Sequence, residues 1–197
     1  MNKITLAGEI IGKPEFSHQI CEENFYEFFL STERTSGAKD IIKCIIPEPL
    51  LILLNDKITI NGEVRTKNLH FEEKNKLDVY VIVNEVIDYI VDINDVELVG
   101  TICKKPTFRD TPLGRQISDL IIASNREIGF KSDYIPTITW GKNALLTSKL
   151  EVGTVLTLHG RLQSREYQKQ VGDEECETRV AYELSVAKIK KIDKKEE

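Results

Sequence analysis

Cysteine and histidine are scarce in this chain and too scattered to build a site. Cys21, Cys44, Cys103 and Cys176 form no C-x-x-C pair, and His18, His70 and His159 lie equally far apart. No metal site or redox dithiol is expected, and four idle thiols in a reducing cytoplasm are. A Walker loop and a G-x-S-x-G elbow are both missing. The chain is therefore read as a non-enzyme without a cofactor, and lone carboxylates such as Asp133 are expected to cap turns. Long apolar runs are missing too. LLILL at 50–54 is far too short to span a bilayer. The first ten residues, MNKITLAGEI, have neither the basic start nor the apolar core of a signal peptide. No membrane association is expected.

The chain also lacks an excess of positive charge. It holds 27 Lys+Arg against 32 Asp+Glu, a net charge of −5. The deficit is unevenly shared, because residues 1–92 carry 10 basic and 16 acidic residues and residues 93–197 carry 17 and 16. Local placement of charge decides groove binding, so total acidity does not exclude nucleic acid, and the asymmetry points to the second half.

What the sequence does contain is a repeat. Leu6, Gly8, Ile10, Pro14 and Phe16 recur as Leu98, Gly100, Ile102, Pro106 and Phe108, and Phe28, Leu30 and Arg34 as Leu120, Ile122 and Arg126, all at an offset of 92. ITINGEVRTK from Ile58 matches LTLHGRLQSR from Leu156 at 98, and Tyr80 and Ile87 meet Tyr182 and Ile189 at 102. The offset grows only between blocks, as when strands are kept and loops lengthen. The expected division is a domain over 1–92, a second over 93–192 and a charged tail at 193–197.

Each half reads as a small all-β unit. Ile4, Leu6, Gly8 and Ile10, like Val96, Leu98, Gly100 and Ile102, alternate with the period of a half-buried strand. In the second half Thr111-Pro112-Leu113-Gly114 is a turn. Strands follow at about 116–124 and 134–140, then a helix over 143–151 with Asn143 as N-cap and Gly153 as terminator. Strands at 154–167 and 178–189 complete the unit. Five strands with a helix between the third and fourth fit a Greek-key OB barrel. The expected fold is all-β: two tandem five-stranded OB barrels, each with one short helix.

The strand over 154–167 carries the site signal. Leu156, Leu158 and Leu162, with Gly160, make a core face, while Arg161, Gln163, Arg165 and Tyr167 share the other. Guanidinium groups ending in an aromatic ring suit a chain of alternating phosphates and bases, although such a row most often simply faces water. In the third strand Tyr134 and Trp140 lie six residues apart, on one side of an unbroken strand. Pro136 could mark a bulge or an edge there, which leaves Trp140 open to either facing, core or surface.

SNREIGFKSDYIPTITWGKNA, followed by GRLQSREYQKQVG and preceded by VELVGTICKKPTFRDTPLGRQ, resembles the bacterial single-stranded DNA-binding protein family over about residues 95–192. The resemblance implies an OB barrel that wraps single strands without sequence preference, in replication, recombination or repair. It makes Tyr134, Trp140 and Tyr167 stacking platforms and Arg126, Arg161 and Arg165 backbone contacts. Arg115 and Lys142 join the binding set, and Phe130 stands in for an aromatic that the family often has where this chain has Ile128. It further implies a homodimer, bringing four barrels to the DNA. Single-stranded DNA is the expected partner, and RNA is the alternative because stacking does not read the sugar.

The first half departs from that pattern. Ile41, Pro47 and Leu69 stand where Tyr134, Trp140 and Tyr167 do, and Glu63 replaces Arg161, while Arg65 and Lys67 keep some positive charge. His70 and Phe71 offer a shifted platform, but a mainly structural barrel is the preferred reading. The chain also lacks the acidic, apolar-tipped end of the family, so tail-mediated recruitment of repair enzymes is not expected. An accessory primosome-type OB protein, acting mainly through protein contacts, is the competing hypothesis.

Overall fold

A computed structural model describes residues 1–71, 74–127, 129, 131–170 and 176–192. Its strands are β1 (Asn2–Ile20), β2 (Glu23–Glu33), β3 (Lys39–Pro47), β4 (Lys57–Phe71), β5 (Lys74–Asp88), β6 (Ile93–Ile102), β7 (Thr107–Asp110), β8 (Gln116–Asn125), β9 (Ser132–Trp140), β10 (Val155–Gln170) and β11 (Cys176–Ile192). They form one sheet in the order β2-β3-β5-β4-β1-β6-β10-β11-β9-β8-β7, and β1–β2 and β6–β8 pairings close each half of it into a five-stranded barrel. β7 is a short extension on β8 that does the work of the far end of the long β1. This is the expected pair of all-β OB barrels.

The alternation read from the sequence is what fills the cores. Ile4, Leu6, Phe28 and Leu30 and their counterparts Val96, Leu98, Leu120 and Ile122 are all buried. Leu156, Leu158 and Leu162 are buried as well. In the last strand, however, the expected offset of 102 is wrong by one. The buried run Val79, Val81, Val83 corresponds to Tyr182, Leu184, Val186, and the parallel pairings Cys44↔Val81 and Thr137↔Leu184 agree with it. The true offset is 103. A one-residue slip would turn the buried face outward, so burial overrules the matching letters Tyr80 and Tyr182.

Closure depends on two equivalent glycines. The antiparallel ladders β4–β5 and β10–β11 shift register at Asn61/Gly62 and His159/Gly160. A Cβ at Gly62 would sit 2.2 Å from the Ile82 carbonyl oxygen, and one at Gly160 2.2 Å from that of Ser185. Only glycine lets the backbones approach this closely at the bulge.

Each barrel has its helix between the third and fourth strands, but the two differ. In the first, Glu48–Leu53 is a 3₁₀ helix with Pro49 in its first turn, and Leu50, Leu51 and Leu54 pack on the core. In the second, α1 spans Lys142–Thr147. The expected N-cap, Asn143, does not cap it. Gly141, at φ 52, takes that place, and Asn143 donates to the Ala187 carbonyl at 3.1 Å. The helix ends well before Gly153, which closes a later turn at φ 90.

The barrels meet back to back. β1 and β6 run antiparallel with Ile4 opposite Val96, its own repeat counterpart, and Asn2 opposite Leu98 as Leu6 is opposite Asn94. An approximate two-fold axis therefore passes between Ile4 and Val96, and the junction is self-complementary. No helix among the described residues is long and apolar enough to cross a membrane. Among the same residues, no group of His, Cys, Asp or Glu could hold a metal ion.

Candidate nucleic-acid interface

β9 settles the facing of its aromatic residues. Its ladder with β8 runs through Pro136 without a register shift, so no bulge interrupts it. Ile135, Thr137 and Thr139 point inward and are buried, and Tyr134 and Trp140 lie on the opposite side. Tyr134 is 49% exposed. Trp140 is half-buried, and its indole N–H donates to Ser185 Oγ at 3.1 Å. One edge of the ring is thus fixed while the ring itself stays outside the core cluster.

Trp140 lines a groove of about 480 Å³ together with Arg34, Arg115, Arg161, Gln163 and Arg165. Arg115 is exposed and follows the Thr111–Gly114 turn, where Gly114 sits at φ 71 and the Arg115 N–H donates to Thr111 Oγ1 at 3.0 Å. Arg161 donates through Nη2 to Gln163 Oε1 at 3.2 Å, and Gln163 in turn donates to Glu183 at 2.7 Å. Gln163 is therefore buried, not facing water like a simple polar row. Arg165 stays exposed, 3.8 Å from Glu183 and with its guanidinium 5.9 Å from the centre of the Tyr167 ring. Tyr167, 36% exposed, lines a second hollow of about 280 Å³ with Lys76, Pro136 and Arg179. Lys142 is exposed at the start of α1, and Phe130 lies outside the described residues.

Arg126 goes elsewhere. Its Nε and Nη2 bond Asp133 at 2.9 and 2.7 Å, and its Nη2 also reaches the Thr66 carbonyl of the other barrel at 3.3 Å. Asp133 is fully buried and also accepts the Thr66 N–H at 2.7 Å and Arg65 at 3.0 Å. It caps no turn but ties the barrels together. Burial pushes its carboxyl up, and Arg126, the Thr66 N–H and Arg65 more than offset this, holding it below the usual carboxylate range.

Residues 93–191, half of the chain, match the model of the single-strand binding protein family. The chain belongs to that family. It is 34% identical over 97 residues to single-stranded DNA-binding protein A of Bacillus subtilis, covering 46% of this chain and 56% of that protein. Against the single-stranded DNA-binding protein of Clostridium tetani it is 30% identical over 94 residues, 45% of this chain and 65% of that protein. These matches thus span little more than half to two thirds of the relatives' length. The crystal structure of the wild-type single-stranded DNA binding protein from Thermus aquaticus superposes with a TM-score of 0.79 at 17% identity, covering 100% of this chain and 95% of that one. That likeness extends the fold across both barrels.

Within the family's barrel the sequence signal reached Trp140, Arg115, Arg161 and Arg165, which the fold brings to one groove. It missed that Arg34, from the first barrel, lines the same groove. The only hint was the repeat match of Arg34 with Arg126, which names a shared structural role and not a neighbour.

The first barrel's equivalent face is differently furnished. Ile41 and Pro47 pair with β2 as Tyr134 and Trp140 pair with β8. Arg65 is held by Glu63 at 2.6 Å and by Asp133, Lys43 by Glu27 and Asp78, and Lys67 is exposed. His18 stacks on Phe25 with ring centres 5.1 Å apart, and burial, then Lys67 and Lys43, lower its pKa. The side chains of His70 and Phe71 lie outside the described residues.

Proposed function

We propose that this chain binds single-stranded DNA without sequence preference and protects it in replication, recombination or repair, as a cytoplasmic protein without catalytic activity. The observation that carries this reading is a tethered, half-buried tryptophan in a groove lined by four arginines. Trp140, Tyr134 and Tyr167 stack on bases, and Arg115, Arg161, Arg165 and Lys142 neutralise phosphates. Arg126 serves the junction. Residues 93–192 form the main binding domain and 1–92 the supporting one; two chains assemble as a homodimer with four barrels. The tail at 193–197 lies outside the described residues.

Trp140 is the only tryptophan, so its emission reports on this groove alone. Poly-dT should quench it, duplex of equal length should compete poorly, and affinity should fall as salt rises. Equal binding to duplex, or none at low salt, would sink the single-strand reading, and poly-rU in the same titration tests RNA. Light scattering that finds a monomer at micromolar concentration, with and without DNA, would refute the homodimer.

A second reading, a module acting mainly through protein contacts, is favoured by the first barrel. Its β1–β2 hairpin presents Phe16 at 60% exposure beside Tyr26, on a half of the chain with net acidic charge. Wild-type DNA affinity that survives loss of Trp140 would support it.

A further inference from the structure

The groove around Trp140 is not built by the second barrel alone. Arg34 follows β2 of the first barrel, and its guanidinium grips Asp40 through Nε at 2.7 Å and through Nη2. Asp40 is fully buried and accepts the Ser164 N–H of β10 at 2.9 Å, while Ser164 Oγ accepts the Ile41 N–H at 2.9 Å. These bonds pin the first barrel against the strand that carries Arg161 and Arg165. They leave Arg34 lining the groove beside them.

Arg161 is the second half of the observation. Its Nε is buried without a hydrogen-bond partner among the described residues. Burial, and then the neighbouring Arg34 cation, disfavour its charge, and Asp40 only partly compensates. Two guanidinium groups brought together with one donor unsatisfied form a site short of an anion. At the equivalent position of the other end Glu63 stands in place of Arg161, and Arg65 is paired with it. The same straddling recurs at Tyr167, where Lys76 of the first barrel lines the hollow.

We propose that Arg34 of the first barrel and Arg161 of the second jointly bind one phosphodiester of the strand whose base stacks on Trp140. This rests on the single-stranded DNA reading above. The first barrel thereby supplies a DNA contact, and the junction is part of the binding site. Arg34 suits the task because a planar fork presents one edge to Asp40 and another to the groove. A lysine has a single ammonium, which Asp40 would claim.

The test uses the full chain and the junction's own symmetry. Arg34→Lys is compared with Arg126→Lys, its repeat counterpart, and Arg34→Gln/Asp40→Asn with Arg126→Gln/Asp133→Asn. Each is followed by oligo-dT titration over a salt series and by thermal melting. Both variants at Arg34 should bind about three- to tenfold more weakly, with the log–log salt slope smaller by about one. Both at Arg126 should keep the wild-type slope. If the paired substitution at Arg34 fails to fold, Arg34→Lys, which keeps a cation against Asp40, decides. An unchanged slope in Arg34→Lys, or equal losses at the two ends, would overturn the proposal while leaving single-strand binding intact. Wild-type protein that ignores oligo-dT would overturn both.

Discussion

At one end of the junction Asp133 gathers Arg126, Arg65 and the Thr66 N–H; at the other Asp40 gathers Arg34 and the Ser164 N–H. The backbone bonds are near copies, since Tyr134 N–H donates to Thr66 Oγ1 as Ile41 N–H donates to Ser164 Oγ. The side chains around them are not. Glu63 and Arg65 at the first end give way to Arg161 and Gln163 at the second. The first end balances two acids against two arginines. At the second, Arg34, Arg115, Arg161 and Arg165 line one groove, with Asp40 paired to Arg34 and Glu183 3.8 Å from Arg165. One scaffold thus yields a closed ionic clasp and an open cationic groove, and two positions in one strand decide which.

The largest expected effect tests whether the groove, and not the clasp, carries function. Trp140→Ala with Tyr167→Ala should cut oligo-dT affinity by about two to four orders of magnitude, at about 1–3 kcal/mol per stacked ring. Neither ring belongs to the core, so the melting temperature should hold. A parallel fall in both would return Trp140 to a structural role.

The opposite outcome is expected at the clasp. Asp133→Ala takes the carboxylate partner from Arg126, leaves the Thr66 N–H unpaired and leaves Arg65 to Glu63, and should cost about 3 kcal/mol of unfolding free energy in chemical denaturation. The acid limb sharpens this. A carboxyl held below its unfolded value adds stability that is complete above the usual carboxylate range and is lost as pH falls through the depressed value. Asp133→Asn should remove that part of the pH dependence, so that stability falls less steeply with acid below the usual carboxylate range.

Smaller effects should follow for the groove cations. Arg161→Ala and Arg165→Ala should each weaken binding to every sequence alike and lower the salt slope by about one. A change confined to one base composition would mean that they read bases instead. Smallest of all, Lys67→Ala in the first barrel should shift affinity by less than about twofold, because no aromatic platform accompanies it at the Leu69 position. A loss as large as that of Arg165→Ala would give the first barrel a groove of its own.

Much of this was legible in the sequence. The repeat carried the two barrels, and the parity of β10 placed its leucines in the core and Arg161 and Arg165 outside. Period-two alternation says which way a side chain points, and burial enforces it. It does not say what stands opposite. Asp133 therefore reads as a turn cap, although its partners Arg65 and Thr66 come from the other barrel. Arg34 shows only as the repeat match of Arg126 for the same reason. The last strand shows a further limit: matching tyrosines suggest an offset of 102, and only the buried faces of β5 and β11 reveal 103. Gly141 was missed because a residue at positive φ can start a helix without a capping side chain.

The pairing of Ile4 with Val96 has an evolutionary consequence. Where two identical chains meet about a two-fold axis, every substitution appears at both ends of the contact at once. An arginine that opens one end must open the other, and a buried carboxylate lost from one is lost from both. Here the two copies are encoded separately and joined through residues 89–92, where Tyr89 and Glu33 both anchor on Asp92. Each end is free to mutate alone. Glu63 locks one end, paired with Arg65, while Arg161 at the equivalent position leaves the other end open, so that one half of the contact holds the molecule together and the other is left to hold something else.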